Sequence, residues 1–285
     1  MNGLIPAIKA ELFVALHSFS SKLVIVIPAC IALLQYLLAK LTETGQAARD
    51  TLLGDNSFEE AVTNSAYGYF VDGVRTGLIL LGLLLVAQAA HSFSYERDIG
   101  TLRHLVIRRS SRQSVIIAKL VCLHLQAILS VCVLLTICWF AAGAFWEYGP
   151  VVEDGFELIS VAEIGTEIQA GLSLALLPLP SAIAFGLLVS VSAQSATQAV
   201  TTALGLTLAM DILKGMLGDL GGFLYASFQP SLLDESYLQD VSRLVRGYSD
   251  VLIDERLQTL NLWVPFPTMV LLLGCTLLIV NWKKI

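Results

Sequence analysis

The sequence predicts an all-α, polytopic membrane protein: six transmembrane helices behind an N-terminal amphipathic helix that lies in the membrane interface. Three observations carry this. Of the 285 residues, 56% are hydrophobic and only 14% charged, with a mean hydropathy of +0.75, whereas ordinary soluble domains carry roughly a quarter charged residues. The apolar residues gather into six runs close to the ~20 that a hydrocarbon core requires. Basic and acidic segments alternate between those runs, as expected of a chain that crosses a membrane repeatedly. Residues 1–285 read as one transmembrane domain.

Taken in order, Ile5, Ile8, Leu12, Leu16 and Phe19 recur at three- and four-residue steps and line one helical face. Residues 1–21 therefore form an amphipathic helix, which lies in the interface, packs on the rest of the protein, or does both. With no small-residue cleavage site after an early apolar run, a signal peptide is not expected. The first span covers 23–39, flanked by Lys22 and Lys40, with Pro28 in its first turns, where proline disrupts least. Residues 42–72 are polar. The second span is 73–93, and 95–113 is a charged connector. The third, 115–145, exceeds a bilayer's needs, so tilt or a projecting end must absorb the excess. After a polar loop at 147–167 comes the fourth span, 168–191, kinked or broken at Pro178 and Pro180. A short turn at 192–195 leads to the fifth, 196–217. In the polar outer segment 229–262, Tyr237, Val241, Leu244, Tyr248 and Val251 repeat at helical steps and suggest a surface helix. The last span, 263–282, has Trp263 and Trp282 at its ends, nineteen steps or about 28 Å apart, a spacing suited to aromatic anchors at both interfaces.

Orientation follows from lysine and arginine. Between 95 and 119 there are six bases (Arg97, Arg103, Arg108, Arg109, Arg112, Lys119) against two acids (Glu96, Asp98), a net charge of +4. Residues 147–167 hold six acids and no base; 42–72 hold six acids and only Arg49. The positive-inside rule puts both termini and the connector in the cytoplasm. The formal net charge of −6 adds little to this, because the signs are segregated. No basic tail suggests nucleic acid.

The connector is the most informative stretch. Ile99, Leu102, Leu105 and Val106 have helical spacing, so an apolar stripe rimmed by arginines would suit the groove of a soluble partner. Here the sequence resembles the membrane subunits of ABC type-2 exporters, which show an acid, Gly-Thr-Leu, a short leucine-rich helix, a Pro-x-Ser-Arg turn and a lysine opening the third span. The matches are Glu96, Gly100, Thr101, Leu102, Leu105, Ser111, Arg112 and Lys119; Arg109 replaces the turn proline and Ala118 the glycine before the lysine. Together with the N-terminal helix, six spans and long outer segment, the resemblance covers essentially the whole chain.

That resemblance implies an ABC type-2 permease-like fold and a permease subunit of an ATP-driven exporter in the cytoplasmic membrane. The connector would be the coupling helix that engages the nucleotide-binding subunit through Glu96, Arg97, Gly100, Thr101, Leu102, Arg103, Leu105, Arg109 and Arg112. A phosphate-binding loop needs Gly-Lys followed by Ser or Thr; none of the seven lysines here follows a glycine. ATP and Mg are thus expected on a partner ATPase, with no cofactor or metal in this chain. A second permease copy is expected, as a homodimer. An alternative is a membrane anchor that couples an ATPase to maturation of a complex without conducting a substrate.

Asp211 and Lys214 lie three apart in the fifth span, on one face, with Asp219 beyond. Ionisable groups at membrane depth are functional candidates. They form either a structural ion pair or part of the translocation route. His17, His91, His104 and His124 show no ligand spacing, and the five cysteines lie in apolar stretches without CxxC spacing, so metal and disulfide chemistry are not expected. GxSxG and HExxH are absent, so the chain reads as non-catalytic. For the outer segment, resemblance suggests a cap near the exit of the route, with re-entrant geometry around Gly221 and Gly222.

Overall fold

The computed structural model describes residues 3–53, 65–100, 111–153, 156–233, 236–247 and 255–282. Ten α-helices follow one another among these: α1 (Leu4–His17), α2 (Phe19–Leu53), α3 (Ala66–Asp98), α4 (Arg112–Phe145), α5 (Val161–Leu176), α6 (Leu179–Ser192), α7 (Ala196–Met216), α8 (Tyr237–Val245), α9 (Glu255–Trp263) and α10 (Pro265–Trp282). A short antiparallel pair, β1 (Val151–Glu153) and β2 (Phe156–Ile159), links α4 to α5. Six helical units are long and apolar enough to cross a membrane: α2, α3, α4, α5 with α6, α7, and α9 with α10. The bundle has a connector end, where α3 stops and α4 starts, and a far end.

Helix α3 is the hub. Seventeen of its 33 residues are buried, and it packs against α2, α4, α6, α7 and α8. It can do so because much of its surface is small. An added Cβ at Gly73 would meet the Tyr36 hydroxyl, and at Gly77 the Leu134 side chain. Backbone comes close to backbone at α6, where Ala182, Gly186 and Ser190 recur every four residues. A Cβ on Gly186 would lie 2.7 Å from the Val86 carbonyl and from the Ala89 methyl. One helical turn on, the Ser190 hydroxyl accepts from the Phe93 and Ser94 amides at 3.2 and 3.0 Å. Lipid offers no hydrophobic drive between helices, so close backbone contact through small residues is what holds such pairs.

Helix ends follow local chemistry. Ser65 caps α3 and Ser111 caps α4, each side chain accepting a first-turn amide. Ser160 and Glu163 form a reciprocal capping box at the start of α5. Gly100, at φ +77°, ends α3 in the left-handed region that glycine enters without strain. Pro178 and Pro180 divide the fourth span into α5 and α6: each lacks an amide hydrogen, and the helix restarts with Ala182 donating to the Pro178 carbonyl at 3.0 Å.

Three elements differ from the sequence reading. Helix α2 runs on to Leu53, through residues read as a polar segment. Thr42 and Thr44 bond back to the Leu38 and Lys40 carbonyls at 2.9 and 2.8 Å, and Glu43 pairs with Lys40 at 3.3 Å, so these polar side chains find partners along the helix without ending it. Helix α3 begins at Ala66, seven residues earlier than position 73, because its first turns are anchored: the Ala66 amide donates to the Glu147 carbonyl at 3.0 Å. The helix in the outer segment is not a surface helix: α8 buries Leu238, Val241, Ser242 and Val245 against α3 and α5. Of the stripe read there, Tyr248 and Val251 lie outside the described residues. At the N-terminus, α1 packs on α4 with Ala7 buried, while Ile5, Leu16 and, just past the break at Ser18, Phe19 are exposed.

The α3–α6 contact yields a test. Gly186→Ala forces a backbone oxygen to move and should cost about 1–3 kcal/mol, lowering the thermal midpoint in detergent by roughly 2–10 °C. Gly274→Ala, a position with open space on α10, should leave the midpoint unchanged.

Candidate functional site

At the connector end the chain gathers charge in an otherwise apolar bundle. Lys119, on α4, has a side chain only 2% exposed, yet its ammonium donates to Glu96 Oε1 at 2.6 Å and pairs with Glu11 Oε1 at 2.8 Å. Glu96 lies in the last turn of α3 and Glu11 on α1, so one cation joins three helices immediately behind the connector. A lysine here needs a carboxylate partner, because an isolated ammonium would be far too costly to bury, and it has two. Two residues past Glu96, the Asp98 carboxylate accepts from the Ala196 amide at 2.6 Å, at the first residue of α7.

Of the residues expected to engage a partner, Glu96, Arg97 and Gly100 sit together at the end of α3, and Arg112 opens α4. Arg97 keeps one guanidinium nitrogen buried without a hydrogen-bond partner among the described residues. Thr101, Leu102, Arg103, Leu105 and Arg109, with His104, lie outside the described residues. Glu11 was not singled out by the sequence reading. The available signal is an acid on a helix whose neighbours are largely apolar, four residues from the buried Ala7 and on its face.

Deeper in the bundle, Gln88 of α3 and Gln126 of α4 exchange two hydrogen bonds, both 2.8 Å, and each also bonds Ser21 of α2 at 3.1 Å. Each amide satisfies the other, which is how polar groups are tolerated at such depth.

At the far end, Asp211 and Lys214 of α7 form an ion pair at 2.8 Å, with side chains 8% and 2% exposed. Ser231 completes it, accepting from Lys214 at 2.7 Å and donating to Asp211 at 2.6 Å; the Leu233 amide adds a 3.3 Å bond to Asp211. Ser231 arrives by an unusual route. After α7, two 3₁₀ turns (Gly218–Phe223 and Tyr225–Ser227) carry the chain back into the bundle until Gln229 lies directly against Gly82 of α3. The chain then climbs to α8, where Ser242 and Arg246 both bond Asp72 of α3. Asp72 and Gly82 are ten residues apart on a continuous helix, or about 15 Å, so the 218–233 segment is re-entrant. A 20 Å³ hollow beside Asp211, Gln229 and Ser231 has room for about one water. A larger cavity of about 280 Å³, lined by Lys214, Asp219, Tyr237, Asp240, Arg256 and Asn261, opens between α7, α8 and α9.

A second far-end cluster centres on Glu43, which accepts from the Tyr69 hydroxyl and from Trp146 Nε1 at 3.0 Å while pairing with Lys40. Trp146 stacks on Tyr69 with ring centroids 3.7 Å apart, and the Arg246 guanidinium sits 5.6 Å from the same tyrosine ring. This clamps α2, α3, α4 and α8 together. His91 stacks on Tyr95, and His124 donates to its own helix at Leu120. Among the described residues, no cluster of three or more His, Cys, Asp or Glu side chains is arranged to hold a metal.

The family described as ABC-2 family transporter protein matches the chain over residues 8–280. No curated protein and no solved structure matches it.

The Lys119 cluster can be probed directly. Lys119→Met leaves two partly buried carboxylates facing each other and should cost about 3–5 kcal/mol, seen as a fall in thermal midpoint in detergent. Adding Glu11→Gln and Glu96→Gln should recover part of that loss. A single Lys119→Met variant as stable as the native chain would show that the cluster contributes nothing.

Proposed function

The chain belongs to the ABC-2 transporter family, and from that premise we propose that it is the membrane-spanning permease of an ATP-driven exporter. It has no ATPase machinery of its own in this reading: ATP and Mg bind a separate nucleotide-binding subunit, and this chain converts that subunit's movement into passage of a substrate. The observation that carries the proposal is the convergence of α1, α3 and α4 on Lys119 beside the root of the basic connector. A segment that receives force from a soluble partner needs a stiff root, and three helices ionically joined within one side chain's reach provide it.

Under the positive-inside rule the connector end is cytoplasmic, with both termini on that side and the acidic far end outside. Residues 101–110 would dock on the ATPase with Leu102 and Leu105 in its groove and the flanking arginines at the rim. We read the complex as two permease copies with two ATPases. Helix α7 supports a second copy: it is the least apolar of the six spans and among the least buried within the protomer. Its exposed side carries Thr197, Thr201 and Gly205 at four-residue steps, the spacing through which membrane helices approach each other.

Asp211 and Lys214 are paired with each other and with Ser231, so in this reading they act as a latch on the re-entrant segment at the exit of the route. A bare charge offered to the substrate would need one of them unpaired.

The decisive experiment is affinity purification of the tagged chain, co-expressed with its ATPase and extracted in mild detergent. The native chain should retain the ATPase. Leu102→Asp with Leu105→Asp should reduce its recovery at least tenfold without altering the permease's own size-exclusion profile. Equal recovery with both would refute the docking assignment.

A further inference from the structure

The Lys119 cluster ties the root of the connector to α1 and α4, but neither of those helices carries the Asp211–Ser231–Lys214 latch. That latch is on α7, and the route from connector to α7 runs through a different residue. Asp98 is the last residue of α3, two before the left-handed Gly100 at which the connector departs. Its Oδ2 accepts from the Ala196 amide at 2.6 Å. In any helix the first amides lack an acceptor within the helix. Here Ser195 serves the Gln198 amide at 3.2 Å, and the Ala196 amide is served by a carboxylate from another span. The negative charge is also favourably placed against the positive end of the helix dipole.

Elsewhere α7 packs along α3 but buries little of its own surface. Its buried residues are Ala199, Ala203, Asp211 and Lys214. The alanines rest on the bundle near the connector end, and the charged pair fastens the far end. Between Ala196 and Asp211 the helix is continuous and free of proline, a stiff length of about 22 Å. A stiff rod that slides along α3 on small side chains, with a polar contact at each end, passes displacement from one end to the other.

We propose that Asp98 is a positioning residue for transport: its carboxylate, seated on the first amide of α7, makes that helix follow the connector. A movement imposed on the connector then reaches the Asp211–Ser231–Lys214 latch and the re-entrant segment behind it. The inference rests on the permease reading above, in which the connector docks on an ATPase.

The test uses the full complex with its co-purified ATPase. A cysteine is placed at Leu232, an exposed position next to Ser231, and its reaction with a water-soluble maleimide is timed with and without ATP and vanadate. In the otherwise native complex, trapping should change the labelling rate at least threefold. Asp98→Ala should abolish that change while the ATPase still co-purifies and hydrolyses ATP. Asp98→Asn retains a carbonyl oxygen to accept from Ala196, and should keep the response. A full response in Asp98→Ala, or labelling in the native complex that ignores nucleotide, overturns the inference and leaves the permease reading standing. Failure of any ATPase to co-purify with the native chain sinks that reading instead, and the inference with it.

Discussion

One buried ammonium organises the connector end of this protein. Lys119 sits almost wholly out of water, and its charge is tolerable only because Glu96 and Glu11 reach it from two other helices. The cost of burying charge makes these pairs matter: no single helix of the three can swing away without breaking at least one of them. The N-terminal helix is therefore held by more than an apolar preference for the interface. It is clamped to α4 through Glu11, with Ile5, Leu16 and Phe19 left exposed and Ile8 and Leu12 half-buried. The last turn of α3 is fixed in the same stroke, so the connector leaves a platform whose orientation is already set.

Away from that end, the bundle depends on what its helices lack. Contact between α3 and α6 requires bare backbone at Gly186 and short side chains at Ala89, Ala182 and Ser190. Polar groups at depth occur in self-satisfying sets: Gln88 with Gln126, Asp211 with Lys214 and Ser231. Each such set is worth only about a kcal/mol in a membrane, which makes them better suited to fixing which helices meet than to supplying stability. The Glu43 cluster does the same at the far end, where aromatic rings and an ion pair hold the projecting turns of α2.

How much of this could be read from the sequence depends on whether the signal is local. Six spans are visible because hydropathy accumulates over twenty neighbours. The division between α5 and α6 is visible because Pro178 and Pro180 cannot donate. Ser111 stands out as part of a motif, and its structural task is to cap α4. Contacts between distant residues left no such trace. Glu11 meets a lysine 108 positions away in the sequence, and Ser231 and Gln229 carry no pattern that points to Asp211 or Gly82. Helix α8 lies in a polar segment and reads as a surface element, yet Asp72 on α3 takes up Ser242 and Arg246, and Leu238, Val241 and Val245 sink into the bundle beside them. Likewise, the polarity that follows the first span ends its apolar run and not its helix, because Thr42, Thr44 and Glu43 satisfy themselves along α2.

Gly82 sets the depth of the re-entrant segment. The amide of Gln229 occupies the space that any side chain at position 82 would fill; a Cβ there would lie 1.8 Å from its nitrogen. The segment thus bottoms out in a notch one methyl group deep, cut into the most heavily packed helix of the bundle. Above that notch the chain makes the hydrogen bonds that close on Asp211 and Lys214. Filling it would lift the floor beneath them, so a vacancy in α3 governs the height at which charges on α7 are met.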